Sequence, residues 1–449
     1  MMGARAQSIG DDIIVALATP WGHAALALLR LSGPQVGELG RRLCPEGPQW
    51  RPRRASHRMA IGEDGAVIDD LVATWMPGPH TATGEDVLEL SCHGNPIVVE
   101  RLLDRCVALG ARPARPGEFS RRALTHGRLD LMGAEALHGL ISARSTAGVV
   151  AARRAMDGGL QNTLSGLRER MLDLTAELEV RLDHPGEDLG EASDEDVHGG
   201  LVQVADELGQ LAQTWRAGKV RLEGAKVALV GAVNAGKSSL FNGLVGSARA
   251  LVSSEPGTTR DVVEKAVLMD GLEVLFLDTA GERSASGLEA AGQQLGRTLT
   301  QDVDLRLHVF SALAPPAAEV VADMAPGWLV ATHVDQAPVP TELHGRPVRH
   351  GISNVTGEGV EALRKDVRAA LGRGPIGGAA MVVSQRQHEL LVTMSGQCAE
   401  AADALVGFAG PAVAAECMTL ALERLGELTG ADVREDILDR LFARFCIGK

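Results

Sequence analysis

Eight residues of this sequence have the spacing needed to bind the phosphates of a nucleotide. Residues 231–238 read Gly-Ala-Val-Asn-Ala-Gly-Lys-Ser, which fits GxxxxGK[ST], between an apolar strand-like segment at 227–230 and a predicted helix. In such a loop backbone N–H groups turn toward phosphate oxygens, the lysine reaches the β- and γ-phosphates, and the serine hydroxyl coordinates Mg²⁺. A chance Gly-rich turn is the alternative. The predicted nucleotide contacts are Asn234, Ala235, Gly236, Lys237, Ser238 and Ser239, with Lys237 also serving hydrolysis and Ser238 the metal.

Two later motifs favour a GTPase over other proteins that use this loop. An apolar segment ends in Asp278-Thr-Ala-Gly281, where Asp278 can hold the Mg²⁺ hydration shell and the Gly281 N–H can sense the γ-phosphate. Residues 256–261 read Pro-Gly-Thr-Thr-Arg-Asp and supply Thr259 as a second protein ligand of Mg²⁺ from a first-switch loop. The order and spacing of the three motifs predict GTP hydrolysis.

The motif for base recognition is only partly present. GTPases usually carry Asn-Lys-x-Asp, whose aspartate accepts hydrogen bonds from the guanine edge, and residues 332–335 read Thr-His-Val-Asp at the matching place. Asp335 is therefore the predicted guanine contact, together with the following loop of Ser353, Asn354 and Val355. GTP remains the predicted nucleotide. An ATP-dependent kinase, which would leave Asp335 without a role, is a less favoured alternative.

Length and composition limit what surrounds this site. A chain of 449 residues is too long for one hydrophobic core, and 45% hydrophobic with 23% charged residues is typical of a globular protein rather than a disordered one. No run of about 18 apolar residues occurs, and six scattered cysteines form no CxxC pair, so we expect a cytoplasmic protein without a disulfide framework. The net charge of −14 argues against a non-specific nucleic-acid coat protein.

The pattern along the chain predicts a helical domain interrupted by an α/β domain. Residues 11–125 show short apolar strands and turns, which predicts a mixed α/β module. From about residue 129 the hydrophobic pattern becomes helical, with leucines every three or four residues between Leu160 and Leu182. Residues 222–372 alternate strands and helices, which favours a parallel sheet, and the chain is helical again after a Gly-rich spacer at 372–378.

These features, taken with several longer motifs, resemble the MnmE (TrmE) family of bacterial tRNA modification GTPases over nearly the whole chain. Most of the shared motifs lie outside the GTPase core, which makes the resemblance more specific than the phosphate-binding loop alone. The matching segments are ATPWG…LLRLSG, TGEDVLELSCHG, ARPGEFSRRAL, LDLMGAEAL, VNAGKSSLFN, PGTTRD, DTAG, TGEGVEALR and the terminal FCIGK.

The resemblance implies an architecture and a reaction. It implies a folate-binding and dimerisation domain at 1–126, a helical domain in two parts at 127–221 and 377–449, and an inserted Ras-like GTPase domain at 222–376. It further implies a homodimer that joins an FAD-containing MnmG-type flavoprotein in a heterotetramer acting on tRNA, with no membrane. The complex would add a carboxymethylaminomethyl or aminomethyl group to the wobble uridine, with a formyl- or methylene-tetrahydrofolate as one-carbon donor.

Four positions are carried over from the family as folate contacts. They are Arg30 in LLRLSG, Glu89 in DVLEL, Arg128 in HGRLDL and the terminal Lys449. Cations suit the glutamate tail of a folate, and a carboxylate suits its pterin. Without the resemblance, Glu89 would be interpreted as a solvent-facing carboxylate of a strand. The family usually has lysine at position 128 and PPGRGG near residues 20–25, so this chain departs from the pattern at both places.

The resemblance also implies how hydrolysis is catalysed. It assigns K⁺ to the Asn234 amide oxygen, completed by oxygens of Ser253, Glu255 and Thr258 in the first-switch loop, whereas bracing of the loop is the alternative role for Asn234. It assigns the water-orienting role to Glu289, acting through a bridging water when two GTPase domains meet. Glu282 stands directly after Asp-Thr-Ala-Gly, the place Ras-like proteins use, and is the competing candidate.

Two further features have both a functional and a structural interpretation. Residues 101–128 hold seven arginines against two carboxylates, which could face tRNA or merely form a solvated helix flank. Cys446 near the C-terminus is a reactive thiol by resemblance, or a small buried side chain. A GTPase switch in ribosome assembly would share the nucleotide motifs, but it would leave LLRLSG, TGEDVLEL and FCIGK unexplained.

Overall fold

The computed structural model describes residues 12–183, 192–246, 249–250, 263–269, 271–278, 303–371, 381–431, 435–443, 445 and 448. The chain divides into two units. The first consists of Met1–His138 and Glu423–Lys449, and the second of Gly139–Leu422.

A six-stranded sheet forms the centre of the first unit. Its strands are β1 (Ile13–Leu17), β2 (Leu26–Ser32), β3 (Ser56–Ile61), β4 (Val67–Met76), β5 (Val87–His93) and β6 (Ala111–Pro113), in the order β3-β4-β5-β2-β1-β6. All neighbours are antiparallel except β1 and β6. Strand β2 shows why the sheet has two unlike faces: Ala27, Leu29 and Leu31 are buried, while Arg30 between them is half-buried.

Helices cover the apolar face of this sheet. They are α1 (Val36–Leu43) and α2 (Pro96–Ala108), whose buried residues Leu39, Leu43 and Leu102 join Leu29 and Leu90 in one core. Helix α2 begins at Pro96, where the Asn95 side chain accepts the Ile97 N–H as an N-cap. Two further helices of this unit are α3 (Glu118–Thr125) and α13 (Glu435–Phe442).

Long helices make up the first half of the second unit. Helix α4 (Leu131–Ser142), which begins in the first unit, leads into α5 (Thr146–Met156), α6 (Gly159–Asp183) and α7 (Asp194–Glu223). The predicted apolar face of α6 is confirmed at Leu160, Leu164, Leu167, Met171 and Leu178, which are buried. The predicted face is wrong at its end, because Leu182 is exposed in the last turn of the helix.

An eight-stranded sheet follows α7 directly. Its strands are β7 (Ala225–Val230), β8 (Arg249–Ala250), β9 (Val263–Met269), β10 (Leu272–Asp278), β11 (Leu305–Ser311), β12 (Trp328–Thr332), β13 (Glu342–Leu343) and β14 (Arg346–Gly351). The order is β13-β14-β12-β11-β7-β10-β9-β8. The five central strands β14, β12, β11, β7 and β10 are parallel, and β13, β9 and β8 add antiparallel edges.

The helices of this part are α8 (Lys237–Gly246), α9 (Ala318–Ala322) and α10 (Val360–Leu371). The chain then returns to the helical layer in α11 (Gln385–Val406) and α12 (Gly410–Thr429). The predicted fold class is confirmed, since a parallel-rich sheet with covering helices interrupts a helical domain that follows a mixed α/β domain. The predicted Gly-rich spacer at 372–378 lies outside the described residues. Among the helices that the structure describes, none combines the length and apolar character needed to cross a membrane.

Candidate nucleotide and folate sites

The phosphate-binding loop lies where the sequence predicts it, between the end of β7 and the start of α8. Two glycines are required by its path. A side chain at Gly231 would overlap the carbonyl oxygen of Val309 on the neighbouring strand β11, and Gly236 adopts a φ of +83°. Asn234 has a φ of 63°, a left-handed conformation that asparagine tolerates better than most residues. The predicted helix after the loop is α8, which begins at Lys237.

Lys237 is the charged side chain inside this loop. It is buried, and its Nζ donates to the carbonyl oxygens of Gly231 at 2.6 Å and Ala232 at 2.7 Å. The ammonium group therefore lies within the curve of the loop, beside the N-terminus of α8, where an anion is favoured. Ser238 and Ser239 are exposed in the first turn of α8, and Asn234 is exposed in the loop.

The end of β12 meets the phosphate-binding loop through Thr332. This side chain is fully buried, and its Oγ1 lies 2.7 Å from the carbonyl oxygen of Ala235 and 3.1 Å from that of Phe310. His333 follows with a φ of 59°, and its Nδ1 lies 3.0 Å from Ser311 Oγ. The two replaced residues of the base-recognition motif thus connect β12 to the loop and to β11. The sequence shows that both residues depart from the motif, but it does not indicate these contacts.

The structure brings the predicted guanine residues together. A hydrogen bond from Ser353 is the main cause that holds the pKa of Asp335 below its ordinary value, so this exposed carboxylate is charged at neutral pH. The buried Ser353 Oγ also accepts the N–H groups of Val355 at 3.2 Å and Thr356 at 3.1 Å. The Asn354 amide Nδ2 donates to the Gly236 carbonyl at 3.4 Å, and the Val355 side chain is exposed.

Several predicted residues lie outside the described part of the chain. They are Ser253, Glu255, Thr258, Thr259, Gly281, Glu282, Glu289, Cys446 and Lys449. Asp278 is the last residue of β10, and its backbone pairs with Leu229 of β7. Because Leu229 lies two residues before Gly231, the register brings the backbone of Asp278 to the same sheet edge as the loop.

Arg30 and Glu89 form a cross-strand pair in the first unit. The register of β2 and β5 places them directly opposite each other, and Arg30 Nη2 and Nε donate to Glu89 Oε1 at 2.7 and 3.0 Å. Their side chains are 21% and 27% exposed, so both remain within reach of a ligand. Glu89 is therefore a partly exposed carboxylate that is paired with Arg30.

Arg128 reaches the same region through the loop at residues 81–85. Its Nε donates to the Thr81 carbonyl at 3.3 Å. In the same loop Thr83 Oγ1 lies 2.6 Å from Ser32 Oγ, and Ser32 also donates to Glu85 at 2.7 Å. Ser32 and Arg30 share one face of β2, since side chains two residues apart on a strand point the same way. The loop thus connects Arg128 to the strand that carries Arg30.

Gly448 lies beside strand β1 of the same sheet. A side chain at Gly448 would overlap the carbonyl oxygen of Leu17, the last residue of β1. Leu17 pairs with Leu29 of β2, which directly precedes Arg30. The described part of the chain therefore approaches β1 at Gly448, and the predicted folate contact Lys449 lies outside the described residues.

Three arginines of the basic segment at 101–128 pair with carboxylates within the first unit. Arg122 is fully buried and donates to Asp12 and Glu85, and Arg112 donates to Asp12 and Glu118. Arg121 pairs with Asp439. Burial raises the pKa of Glu118, but hydrogen bonds from Arg112 and from the Arg115 N–H outweigh it and bring that pKa to about 2. Three of the seven arginines therefore bind carboxylates, which favours a structural role over an RNA surface.

The loop, the parallel sheet and the register of β7 with β10 define a P-loop nucleotide-binding protein. Residues 13–128 match the sequence profile of the GTP-binding protein TrmE N-terminus, and residues 131–446 match that of the MnmE helical domain. The chain belongs to the MnmE (TrmE) family.

Full-length relatives agree with this assignment. The tRNA modification GTPase MnmE of Myxococcus xanthus is 41% identical over 97% of this chain and 98% of its own length, and that of Alkalilimnicola ehrlichii is 38% identical over 97% and 99%. Among solved structures, the G domain of the T. maritima FeoB iron transporter aligns with 32% of this chain and 98% of its own at 28% identity, with a TM-score of 0.26.

Proposed function

We propose that this chain is the GTP-hydrolysing subunit of an enzyme that modifies the wobble uridine of tRNA in the cytoplasm. The reaction would add a carboxymethylaminomethyl or aminomethyl group, with a formyl- or methylene-tetrahydrofolate as the one-carbon donor. The observation that carries the proposal is similarity along the whole chain to proteins named tRNA modification GTPase MnmE. That similarity includes the domain of the Arg30–Glu89 pair, which a GTPase switch would not need.

The nucleotide site is suited to a triphosphate. Lys237 Nζ is already held inside the loop by two carbonyl oxygens, so a phosphate group there would exchange neutral acceptors for charged ones. Asp335, charged and positioned by Ser353, would accept hydrogen bonds from the guanine edge. Ser238 and Thr259 would bind Mg²⁺, which supplies charge stabilisation at the phosphates when bound. Asn234, Ser253, Glu255 and Thr258 would bind K⁺.

The first unit is suited to a folate. Glu89 keeps one carboxylate oxygen beyond the bonds from Arg30, and that oxygen is available to the N–H groups of a pterin. Arg128, with Lys449 arriving from the C-terminus, would bind the carboxylates of the glutamate tail. Deleting Lys449 should weaken folate binding and leave GTP binding intact. Equal folate affinity in the truncated protein would remove Lys449 from the site.

The partners follow from the family. We propose a homodimer that assembles with an MnmG-type flavoprotein, which would supply FAD. This chain should therefore bind no flavin itself. A monomeric mass in light scattering at micromolar concentration would contradict the dimer.

The function is tested by mass spectrometry of tRNA nucleosides from a strain depleted of this protein. We expect loss of the wobble modification, restored by the unaltered gene. Glu89→Gln should fail to restore it although the purified variant still hydrolyses GTP, because this change removes a carboxylate and leaves the nucleotide site untouched. Unchanged wobble modification in the depleted strain would favour the GTPase switch instead.

A further inference from the structure

Four titratable side chains meet on the first unit, and none of them belongs to the nucleotide or folate site. They come from three adjacent strands: His57 on β3, Asp69 and Asp70 on β4, and His93 at the end of β5. The antiparallel register of β3-β4-β5 brings them together although they are separated by up to 36 positions in the chain. We call this group the His-Asp cluster.

The His-Asp cluster has one rigid member and three accessible ones. Asp69 is only 9% exposed, and its carboxylate accepts both the backbone N–H of His93 at 2.9 Å and a hydrogen bond from His93 Nδ1 at 2.8 Å. His93 Nδ1 also lies 3.9 Å from Asp70 Oδ1, and the second oxygen of Asp70 lies 3.1 Å from His57 Nε2. His57, Asp70 and His93 are more than half exposed.

The spacing is that of donors around a single ion. Ligand atoms of Asp69, Asp70 and His93 all lie within 4.8 Å of one another. His57 is outside this set, and its Nε2 lies 3.1 Å from Asp70 Oδ2. Donors about 2.0–2.2 Å from a tetrahedral ion are themselves separated by a little over 3 Å, so small side-chain rotations would suffice. Two imidazole nitrogens with two carboxylate oxygens suit Zn²⁺ and similar transition metals, whereas Mg²⁺ and Ca²⁺ prefer all-oxygen sites.

We propose that the His-Asp cluster binds one divalent transition-metal ion, with Zn²⁺ as the best match. Asp69 provides the fixed ligand, Asp70 and His93 complete the inner set, and His57 supplies the fourth donor. Such an ion would tie the edge strand β3 to β4 and β5, because its ligands come from all three strands. Metal binding should therefore stabilise the first unit as well as be measurable directly.

Titration of the full-length, nucleotide-free protein with ZnCl₂ in a calorimeter tests the proposal, and visible absorption of bound Co²⁺ reports the donor set. We expect saturable binding of one ion per chain and a melting temperature that rises with Zn²⁺. Asp70→Asn and His93→Gln should each weaken the affinity by at least about tenfold and abolish the rise in melting temperature. Both side chains are exposed, so these changes are compatible with folding.

His350→Asn is the matched control. His350 lies 3.2 Å from Asp366, a pair on the other unit that has one imidazole and one carboxylate. This variant should bind Zn²⁺ as the unaltered protein does. The proposal is overturned if no saturable site is found, or if Asp70→Asn and His93→Gln bind Zn²⁺ with unchanged affinity.

Discussion

Thr332 shows how one side chain can replace the usual residue of a recognition motif. Its position normally carries asparagine in GTPases, yet here a buried hydroxyl lies within hydrogen-bond distance of Ala235 and Phe310. A hydroxyl offers one donor, enough to hold one of these carbonyls firmly. The end of β12 is thereby connected to the phosphate-binding loop without an amide side chain.

We expect Thr332→Val to weaken GTP binding by roughly fivefold, since losing one buried hydrogen bond costs about 1 kcal/mol. The methyl group of valine keeps the volume but leaves the Ala235 carbonyl unpaired. Thr341→Val, at an exposed threonine, is the control and should bind normally. Titration of a fluorescent GTP analogue measures both. Equal affinity in the two variants would show that the contact does not support the loop.

Asn234 is the residue through which hydrolysis should depend on K⁺. Its exposed, left-handed position in the loop leaves the amide free to face a ligand. We expect GTP turnover to rise strongly in K⁺ compared with Na⁺, and Asn234→Ala to remove this difference. Equal rates in the two salts would exclude the cation role.

Glu289→Ala should impair GTP turnover with little effect on nucleotide binding. A larger loss of turnover from Glu282→Ala would reassign the water-orienting residue.

At the scale of elements, the sheet of the second unit is joined to its helices at the β9–β10 turn. The Thr146 N–H at the start of α5 donates to the Gly271 carbonyl at 3.1 Å, and the Glu273 N–H donates to the Arg144 carbonyl at 2.9 Å. Strand β10 runs from this joint to Asp278 at the nucleotide site. One continuous strand therefore connects the helical layer to Asp278, the first residue of the Asp-Thr-Ala-Gly motif.

The start of helix α5 supports this joint by close backbone contact. The Ser145 hydroxyl donates to the Arg221 carbonyl near the end of α7 at 2.7 Å, and Gly148 lies directly against the same carbonyl. A side chain at Gly148 would overlap that backbone oxygen. The glycine is therefore explained by helix packing.

Gly148→Ala should destabilise the protein by about 1–3 kcal/mol, because the added methyl group forces α5 away from α7. Gly166→Ala is the contrasting variant, since Gly166 is exposed in the interior of α6 with open space around it. There alanine should stabilise by about 0.5–1 kcal/mol through helix propensity. Urea unfolding measures both changes. The packing argument fails if the two variants shift stability in the same direction.

At the scale of the whole molecule, buried charge holds the first unit together. Asp12 at the start of β1, Glu85 in the loop at 81–85 and Glu118 of α3 surround Arg112 and the buried Arg122. The members lie up to 110 positions apart in the chain. This network connects the start of the β-sheet, the loop at 81–85 and α3.

We expect this unit to lose stability in acid. The pKa of Glu118 is about 2 in the folded protein against an ordinary 4.5, so its contribution is complete above pH 4.5 and is lost as the pH falls toward 2. At about 1.4 kcal/mol per pKa unit, the loss is at most about 3.5 kcal/mol. Glu118→Gln should flatten the dependence of unfolding free energy on pH in this interval and lower stability at pH 7. An unchanged slope would show that other carboxylates dominate.

Local sequence patterns determined much of this protein. The phosphate-binding loop, the central strands and the apolar face of α6 were predictable because each depends on residues within one or two turns or strands of each other. Motifs outside the loop were specific enough to indicate the family. The close approach of Gly231 to β11 and the left-handed Gly236 follow from the same motif.

Tertiary structure alone decided which side chains pair. Arg30 meets Glu89 across 59 positions, Thr332 meets Ala235 across 97, and Arg121 meets Asp439 across 318. Strand register and chain packing set these contacts, and neither is encoded in short-range spacing. For that reason a run of arginines that suggested an RNA surface includes three bound by carboxylates. The register of β3, β4 and β5 likewise brings the His-Asp cluster together, and no local motif could have indicated this grouping.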